Sequence, residues 1–354
     1  MKALVLSGGM GLRLRPFSHS MPKQLMPLAN KPVLLHVIEQ LRSLGVTEIG
    51  IVVGDRPEKI SERFGDGSEF GVRLTYIEQD APRGLAHAVA IARDFLGDDD
   101  FVMYLGDNLL PEGVDDIAAE FRRRRPAAQL VVHRVADPRA FGVAEVNDSG
   151  RVLRLVEKPE QPVSDLAVVG VYFFTAAIHE AVAAVESSAR GELEITDAIQ
   201  WLVARGEEVR ARTYSGYWKD AGQIDDVLAC NRELLDRLKP SVSGEVDAHS
   251  ELIGAVVVEE GARIVRSRIT GPAVVGAGAV VEGSSIGPHT SIGEGCRLLG
   301  VQLSDSIVLE RASVRGVQSV RSSIIGREAS VDAVGAEGSQ RLIVGDHARV
   351  EVAA

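Results

Sequence analysis

The sequence has little cysteine, no long apolar run and a shortage of positive charge. Its two cysteines, Cys230 and Cys296, lie far apart and lack the CxxC spacing or neighbouring histidine pairs that a zinc or redox site would need. A reducing cytoplasm is the expected setting. No apolar stretch reaches membrane-spanning length, and Lys2-Ala3-Leu4-Val5-Leu6 opens the chain as a strand rather than as a basic segment with an apolar signal core. Lysine and arginine number 39 against 50 acidic residues, a net charge of -11. This charge is spread along the chain, so the surface repels polyanions. No nucleic acid and no membrane is expected as a partner.

What is present is enough for two cores. A chain of 354 residues with 45% hydrophobic and 25% charged content supports one large domain and a smaller one. From Lys2 to about Arg237, short apolar runs (Ala3–Leu6, Ile49–Val53, Phe101–Leu105) alternate with helical patterns (Val33–Leu44, Leu85–Phe95). That rhythm predicts an α/β fold with a mainly parallel, Rossmann-like sheet, whose ligands gather at the carboxyl ends of the strands. After the helical stretch Ile224–Leu238, residues 239–248 read as a linker. Beyond it, Val275, Val281, Ile286, Ile292 and Leu298 recur every five or six residues, often followed by glycine. A short repeat of this kind signals a solenoid, and this one resembles the left-handed parallel β-helix of hexapeptide-repeat proteins. The expected organisation is a catalytic domain over 1–238, the linker over 239–248 and a β-helix over 249–354, with the repeat loosening after Gly300.

The first strand runs into Ser7-Gly8-Gly9-Met10-Gly11-Leu12-Arg13-Leu14-Arg15-Pro16. Glycines there let backbone N–H groups converge on phosphate oxygens, and the arginines supply forked positive charge. Neither the Walker pattern GxxxxGK[ST] nor a complete GxGxxG is present. The continuation Pro22-Lys23-Gln24-Leu25-Met26-Pro27 completes a signature that resembles that of the sugar-phosphate nucleotidyltransferase family. Further matches follow in order: Gln79-x-x-Pro82-x-Gly84-Leu85-Ala86, Leu105-Gly106-Asp107-Asn108, Phe141-Gly142-Val143, Glu157-Lys158-Pro159, Arg190-Gly191-Glu192-Leu193-Glu194-Ile195-Thr196-Asp197 and Trp218-Lys219-Asp220-Ala221-Gly222. Within the family, the chain is most similar to the longer glucose-1-phosphate thymidylyltransferases, which carry a β-helix after the catalytic domain.

The resemblance implies transfer of a nucleotidyl group to a sugar 1-phosphate. Such a reaction brings two anions together, so cations and metal ligands should dominate its site. Arg13, Lys23 and Lys158 are the implied catalytic cations. The implied nucleotide contacts are Leu6, Gly8, Gly9, Gly11, Gln24, Gln79, Pro82, Gly84 and Asp107. Gln79 would face a pyrimidine edge, its amide able to donate and accept; dTTP is the favoured triphosphate. For the sugar phosphate the implied residues are Asn108, Gly142, Glu157, Lys158, Tyr172 and Arg190. Asp107 and Asp220 would hold Mg²⁺, a hard cation suited to carboxylate oxygen. Each residue has an ordinary alternative: a solvated surface for Arg13 and Lys23, a helix cap for Asp107, a surface pair for Glu157 and Lys158, a core aromatic for Tyr172.

Leu12, Phe141, His87, Lys219 and Ala221 depart from the family's commoner residues, which leaves UTP, ATP or GTP and another sugar or cyclitol phosphate as the alternative substrates. His87, on an expected helix, reads as a packing or capping residue, since this chemistry scarcely needs a base. His289 reads as a solvated turn residue. An acetyltransferase role for the β-helix would need a longer, more regular repeat, and a purely regulatory protein would not need the whole cation and carboxylate set. The open ends and edges of a β-helix invite a neighbouring subunit, so a homo-oligomer is expected.

Overall fold

The computed structural model describes residues 1–54, 56–333 and 341–352. The chain folds as two compact units, Met1–Met10 with Leu34–Lys219, and Gly11–Val33 with Asp220–Ala354. Among the described residues no helix is long and apolar enough to cross a membrane.

The first unit is built on one sheet. Its strands are β1 (Lys2–Ser7), β2 (Glu48–Val53), β3 (Arg73–Glu78), β4 (Phe101–Leu105), β5 (Ala128–Arg134), β6 (Gly142–Val146), β7 (Val152–Glu157), β8 (Leu166–Phe174) and β9 (Val209–Thr213), with helices α1 (Val33–Ser43), α2 (Pro57–Phe64) and α5 (Asp115–Arg124) between them in sequence. The order is β7-β6-β8-β4-β1-β2-β3, with β5 pairing β8 and β9. Strands β1, β2 and β4 are almost continuously apolar because helices cover both faces. They run parallel in register, with Leu6 opposite both Val52 and Leu105, so their carboxyl ends lie level.

The sheet is mixed, with antiparallel pairs in its other half: β8 is antiparallel to β4, β5 and β6, and β7 to β6. No helix intervenes between β5 and β8 to carry the chain back for a parallel return. Instead Asn147 turns the β6–β7 hairpin, its Oδ1 accepting the backbone N–H groups of Ser149 and Arg151, while Gly150 takes φ 82°. The helix expected over Leu85–Phe95 is also interrupted. It forms α3 (Leu85–Ile91) and a short α4 (Arg93–Leu96), joined at Ala92. Helix α6 (Ile178–Ala184) and α7 (Ile195–Ala204) complete the core, where Phe101 and Phe174 pack with ring centroids 5.4 Å apart.

The second unit contains α8 (Ile224–Leu235) and three stacked parallel sheets, a parallel β-helix. Val275, Val281, Ile286, Ile292 and Leu298 fall on successive faces and are at most 1% exposed. Each hexapeptide therefore supplies one face and one stacked aliphatic. The glycine after the aliphatic answers to the next coil, since a Cβ on Gly276 would lie 2.7 Å from the Glu294 nitrogen. Serines link the corners: Ser250 Oγ accepts the Ser267 N–H, Ser267 Oγ that of Ser284, and Ser284 Oγ that of Val301. The β-helix begins inside the segment expected as a linker, because Ser241–Val242 pairs with Val257–Val258 and Glu245–Val246 with Arg263–Ile264. Pairing also persists past Gly300, through Ile324–Ile325 with Ile343–Val344 and Ser330–Ala333 with Arg349–Val352.

Candidate functional site

In the first unit the parallel strands deliver the expected residues at their carboxyl ends, where an α/β sheet binds ligands. Ser7, Gly8 and Gly9 leave β1, Gly54 leaves β2, Gln79 leaves β3, and Gly106 and Asp107 leave β4. Leu6 is a core residue whose carbonyl accepts the Gly106 N–H at 2.9 Å. The turns lie too close together for side chains: a Cβ on Gly54 would sit 2.6 Å from the Gly8 oxygen, and one on Gly106 2.8 Å from Ser7 Oγ. Asp107 is 7% exposed and its Oδ1 accepts from Asn108 Nδ2 at 3.1 Å. Asn108 Oδ1 in turn accepts from Trp218 Nε1 at 2.7 Å, so the indole orients the amide that orients the carboxylate. Phe141 packs against Trp218 at 5.2 Å.

The Gln79 amide lies 2.9 Å from the position of a Cβ on Gly8. Pro82 is exposed in the turn that follows. Gly84 takes φ 97°, and a Cβ there would lie 2.3 Å from the Leu193 oxygen. That oxygen accepts the Ala86 N–H, and the Leu193 N–H is donated to Arg83. The Gln79–Ala86 and Arg190–Asp197 motifs, far apart in sequence, are thereby tied by backbone.

Near that junction lie Gly142, Glu157, Lys158 and Arg190 of the expected sugar-phosphate set. Gly142 stands opposite Glu157 in the hairpin, with Thr196 and Glu157 filling the space of its missing side chain. Thr196 Oγ1 donates to Glu157 Oε2 at 3.1 Å, and the ammonium of Lys158 lies 3.5 Å from Glu157 Oε1. Lys158 is exposed and holds φ 42°. Arg190 bridges Glu157 at 3.4 Å and Glu194 at 2.7 Å, and its hydrogen bond to Glu194 raises its pKa further. Burial raises the Asp197 carboxyl above its usual 3.8, with Glu194 and Glu157 adding to the effect. Tyr172 is 5% exposed and stacks on Phe174 within the core; burial, then Glu157, raises its hydroxyl.

The second unit holds Gly11, Arg13, Lys23, Gln24 and Asp220. Gly11 takes φ 62°, with the Cβ atoms of Lys23 and Ser18 each 3.3 Å from where its own would be. Arg13 Nη2 and Asp220 Oδ2 both lie 3.3 Å from the corresponding position on Gly222, so guanidinium and carboxylate share that glycine's flank. Gln24 is 1% exposed, yet neither polar atom of its amide has a hydrogen-bond partner, an arrangement that costs about 1–3 kcal/mol per group until something pairs with it. The segment rests on α8, which carries Asn231, and on the β-helix. Ala29 N–H donates to Asn231 Oδ1, Asn30 Nδ2 to the Ile292 carbonyl, both at 2.8 Å, and Ser20 Oγ to Asp346 Oδ2. Sequence reasoning passed over Glu194, Thr196, Trp218, Ser20 and Asp346 as functional residues, because only folding brings them to the residues they hold.

Residues 2–237 match the nucleotidyl transferase family. The chain belongs to that family, as a sugar-phosphate nucleotidyltransferase. Over 99% of its length, this nucleotidyltransferase is 52% identical to the glucose-1-phosphate thymidylyltransferase of Streptomyces antibioticus and 53% identical to that of Streptomyces griseus, covering 99% of each. A crystal structure from Bacillus anthracis, provisionally named glucose-1-phosphate thymidylyltransferase and holding a sucrose, matches 68% of the chain and 97% of its own with TM-score 0.63 and 33% identity.

Proposed function

We propose that this nucleotidyltransferase joins dTTP to glucose 1-phosphate, forming dTDP-glucose and pyrophosphate. The observation that carries the proposal is the gathering of Gly8, Gln79 and Asp107 at level strand ends in a unit that also joins Glu157, Lys158 and Arg190 in one ion-paired cluster. A sugar-phosphate oxygen attacks the α-phosphorus, and the bond to the β-phosphate bridging oxygen breaks in line; no proton must move. Lys158 and Arg190 neutralise the sugar phosphate. Glu157 accepts hydrogen bonds from sugar hydroxyls. Arg13 and Lys23 counter the charge that grows on departing pyrophosphate, where fixed donors act best. Gln24 gives its unpaired amide to the nucleotide.

Carboxylate oxygen suits a hard divalent cation. Among the described residues no group of three or more His, Cys, Asp or Glu side chains could hold a metal. One or two carboxylates leave coordination positions for water and substrate phosphates, the usual arrangement for Mg²⁺. We assign that role to Asp107 and Asp220. When bound, the ion supplies positive charge to the phosphates. A cytoplasmic setting and a homo-oligomer are part of the same proposal.

The test supplies dTTP, UTP, ATP, GTP and CTP separately, with glucose 1-phosphate and Mg²⁺, and follows pyrophosphate release in wild type and Asp107→Asn. Release strongest with dTTP and lost in the variant is expected. A purine preference would overturn the role of Gln79, and silence with all five would overturn the acceptor.

A further inference from the structure

The family signature puts Gln79 at the nucleobase, but a glutamine alone does not choose. Its amide turns over at little cost and can offer a donor or an acceptor to the same edge. Something must break that symmetry if thymine or uracil is to be told from cytosine.

With Nδ1 of His87 unprotonated, both amide protons of Gln79 are engaged. Gln79 Nε2 lies 2.9 Å from His87 Nδ1 and donates to the Gly84 carbonyl at 3.4 Å. Its carbonyl oxygen accepts no hydrogen bond among the described residues and faces Gly8, 2.9 Å from the place of a Cβ. The oxygen is left as the group to be read. Thymine and uracil present a ring N–H at N3, which that oxygen can accept. Cytosine presents a lone pair at N3, so oxygen would meet nitrogen, acceptor against acceptor. Turning the amide would repair the match to cytosine, but it would then point the amide oxygen at the Gly84 carbonyl and at Nδ1 of His87. Selection by a penalty on the wrong partner is the general route to specificity between similar ligands.

We infer that His87 is a positioning residue for base selection, its unprotonated Nδ1 fixing the Gln79 amide so that the site accepts a pyrimidine with a ring N–H and rejects cytosine. The inference rests on the nucleotidyl transfer proposed above and adds the device that directs Gln79. It gives a physical role to a residue whose position and type otherwise suggest packing on α3.

The experiment measures kcat/KM for dTTP and dCTP with glucose 1-phosphate in wild type, His87→Leu, His87→Gln, Gln79→Ala and the double variant Gln79→Ala/His87→Leu. His87→Leu removes the acceptor. The loss of one such hydrogen bond corresponds to about a five- to tenfold fall in the dTTP:dCTP ratio. His87→Gln restores an acceptor and should recover most of the ratio. In the Gln79→Ala background, His87→Leu should leave the ratio unchanged. If His87 only packs, its replacement lowers both kcat/KM values together and the ratio stays at the wild-type value, which overturns the inference. A wild-type enzyme that prefers a purine triphosphate or shows no transfer would overturn the proposed function itself, whereas a dTTP-preferring enzyme indifferent to His87 would overturn this inference alone.

Discussion

Ser20 ties the last coils of the β-helix to the segment that carries Arg13 and Lys23. Its hydroxyl donates to Asp346 Oδ2, and Asp346 is itself pinned by Arg327, whose backbone N–H, Nε and Nη2 lie 2.8, 3.1 and 3.0 Å from the carboxylate. The Asp346 side chain is 2% exposed, so the bond is shielded from water and its acceptor is charged. Hydrogen bonds to charged groups contribute about 1.5–3 kcal/mol, roughly twice the neutral case. Removing the hydroxyl in Ser20→Ala should therefore cost about 1.5 kcal/mol of local order. Because this cost falls on the free segment and is recovered when triphosphate orders it, the variant should raise the KM for the nucleotide by about tenfold with a small change in kcat. Steady-state kinetics with varied nucleotide at saturating sugar phosphate measures it. Asp346→Asn also weakens the Arg327 pair and should raise the nucleotide KM at least as much, and adding Ser20→Ala to it should cost less than Ser20→Ala costs alone, since the two residues share one bond. An unchanged nucleotide KM in Ser20→Ala, or fully additive effects in the double variant, would refute the claim that the β-helix braces the phosphate segment.

Patterns that repeat within a few residues were legible in the sequence. The hexapeptide aliphatics announced the β-helix because each one stacks on its own equivalents, and the apolar runs of β1, β2 and β4 announced a buried parallel sheet. Asp107 was placed by its position after such a run. What the sequence concealed depends on partners far along the chain. The antiparallel turn of β8 follows from the absence of a crossover helix before it, and Val242 or Val246 read as linker because each strand is two residues long and is stabilised by the coil above it. The serine ladder through Ser250, Ser267 and Ser284 has no motif to mark it, although each hydroxyl satisfies an N–H of the next coil. Glu194 stood inside the Arg190–Asp197 motif without a role, yet it orders Arg190 and Ser188 together. His87 was visible as a departure from the family pattern, and only its distance from Gln79 gives that departure a direction.

Two further perturbations separate burial from chemistry. Cys230 and Cys296 are both fully buried, and burial pushes the Cys296 thiol up to about 12. The folded protein should thus show no thiol titratable by an aromatic disulfide reagent at pH 8, and two per chain after denaturation; a thiol that reacts in the native state within minutes would contradict the packing around Cys230 in α8 or around Cys296 in the β-helix. Asp197 offers the pH counterpart. Its carboxyl is held above 3.8 by burial, then by Glu194 and Glu157, against the pull of Arg190. An acid with a raised folded pKa keeps its proton longer in the native state than in the unfolded chain, so its ionisation subtracts stability as pH rises through that window. Below the unfolded value the subtraction vanishes. Asp197→Asn is never ionised and escapes it, so the stability of the variant relative to wild type should improve between pH 4 and pH 7. Urea unfolding at those two pH values isolates the effect, because the other carboxylates titrate in both proteins. A difference that is flat in pH, or that moves in favour of wild type as pH rises, would mean that Arg190 and not burial governs this carboxylate.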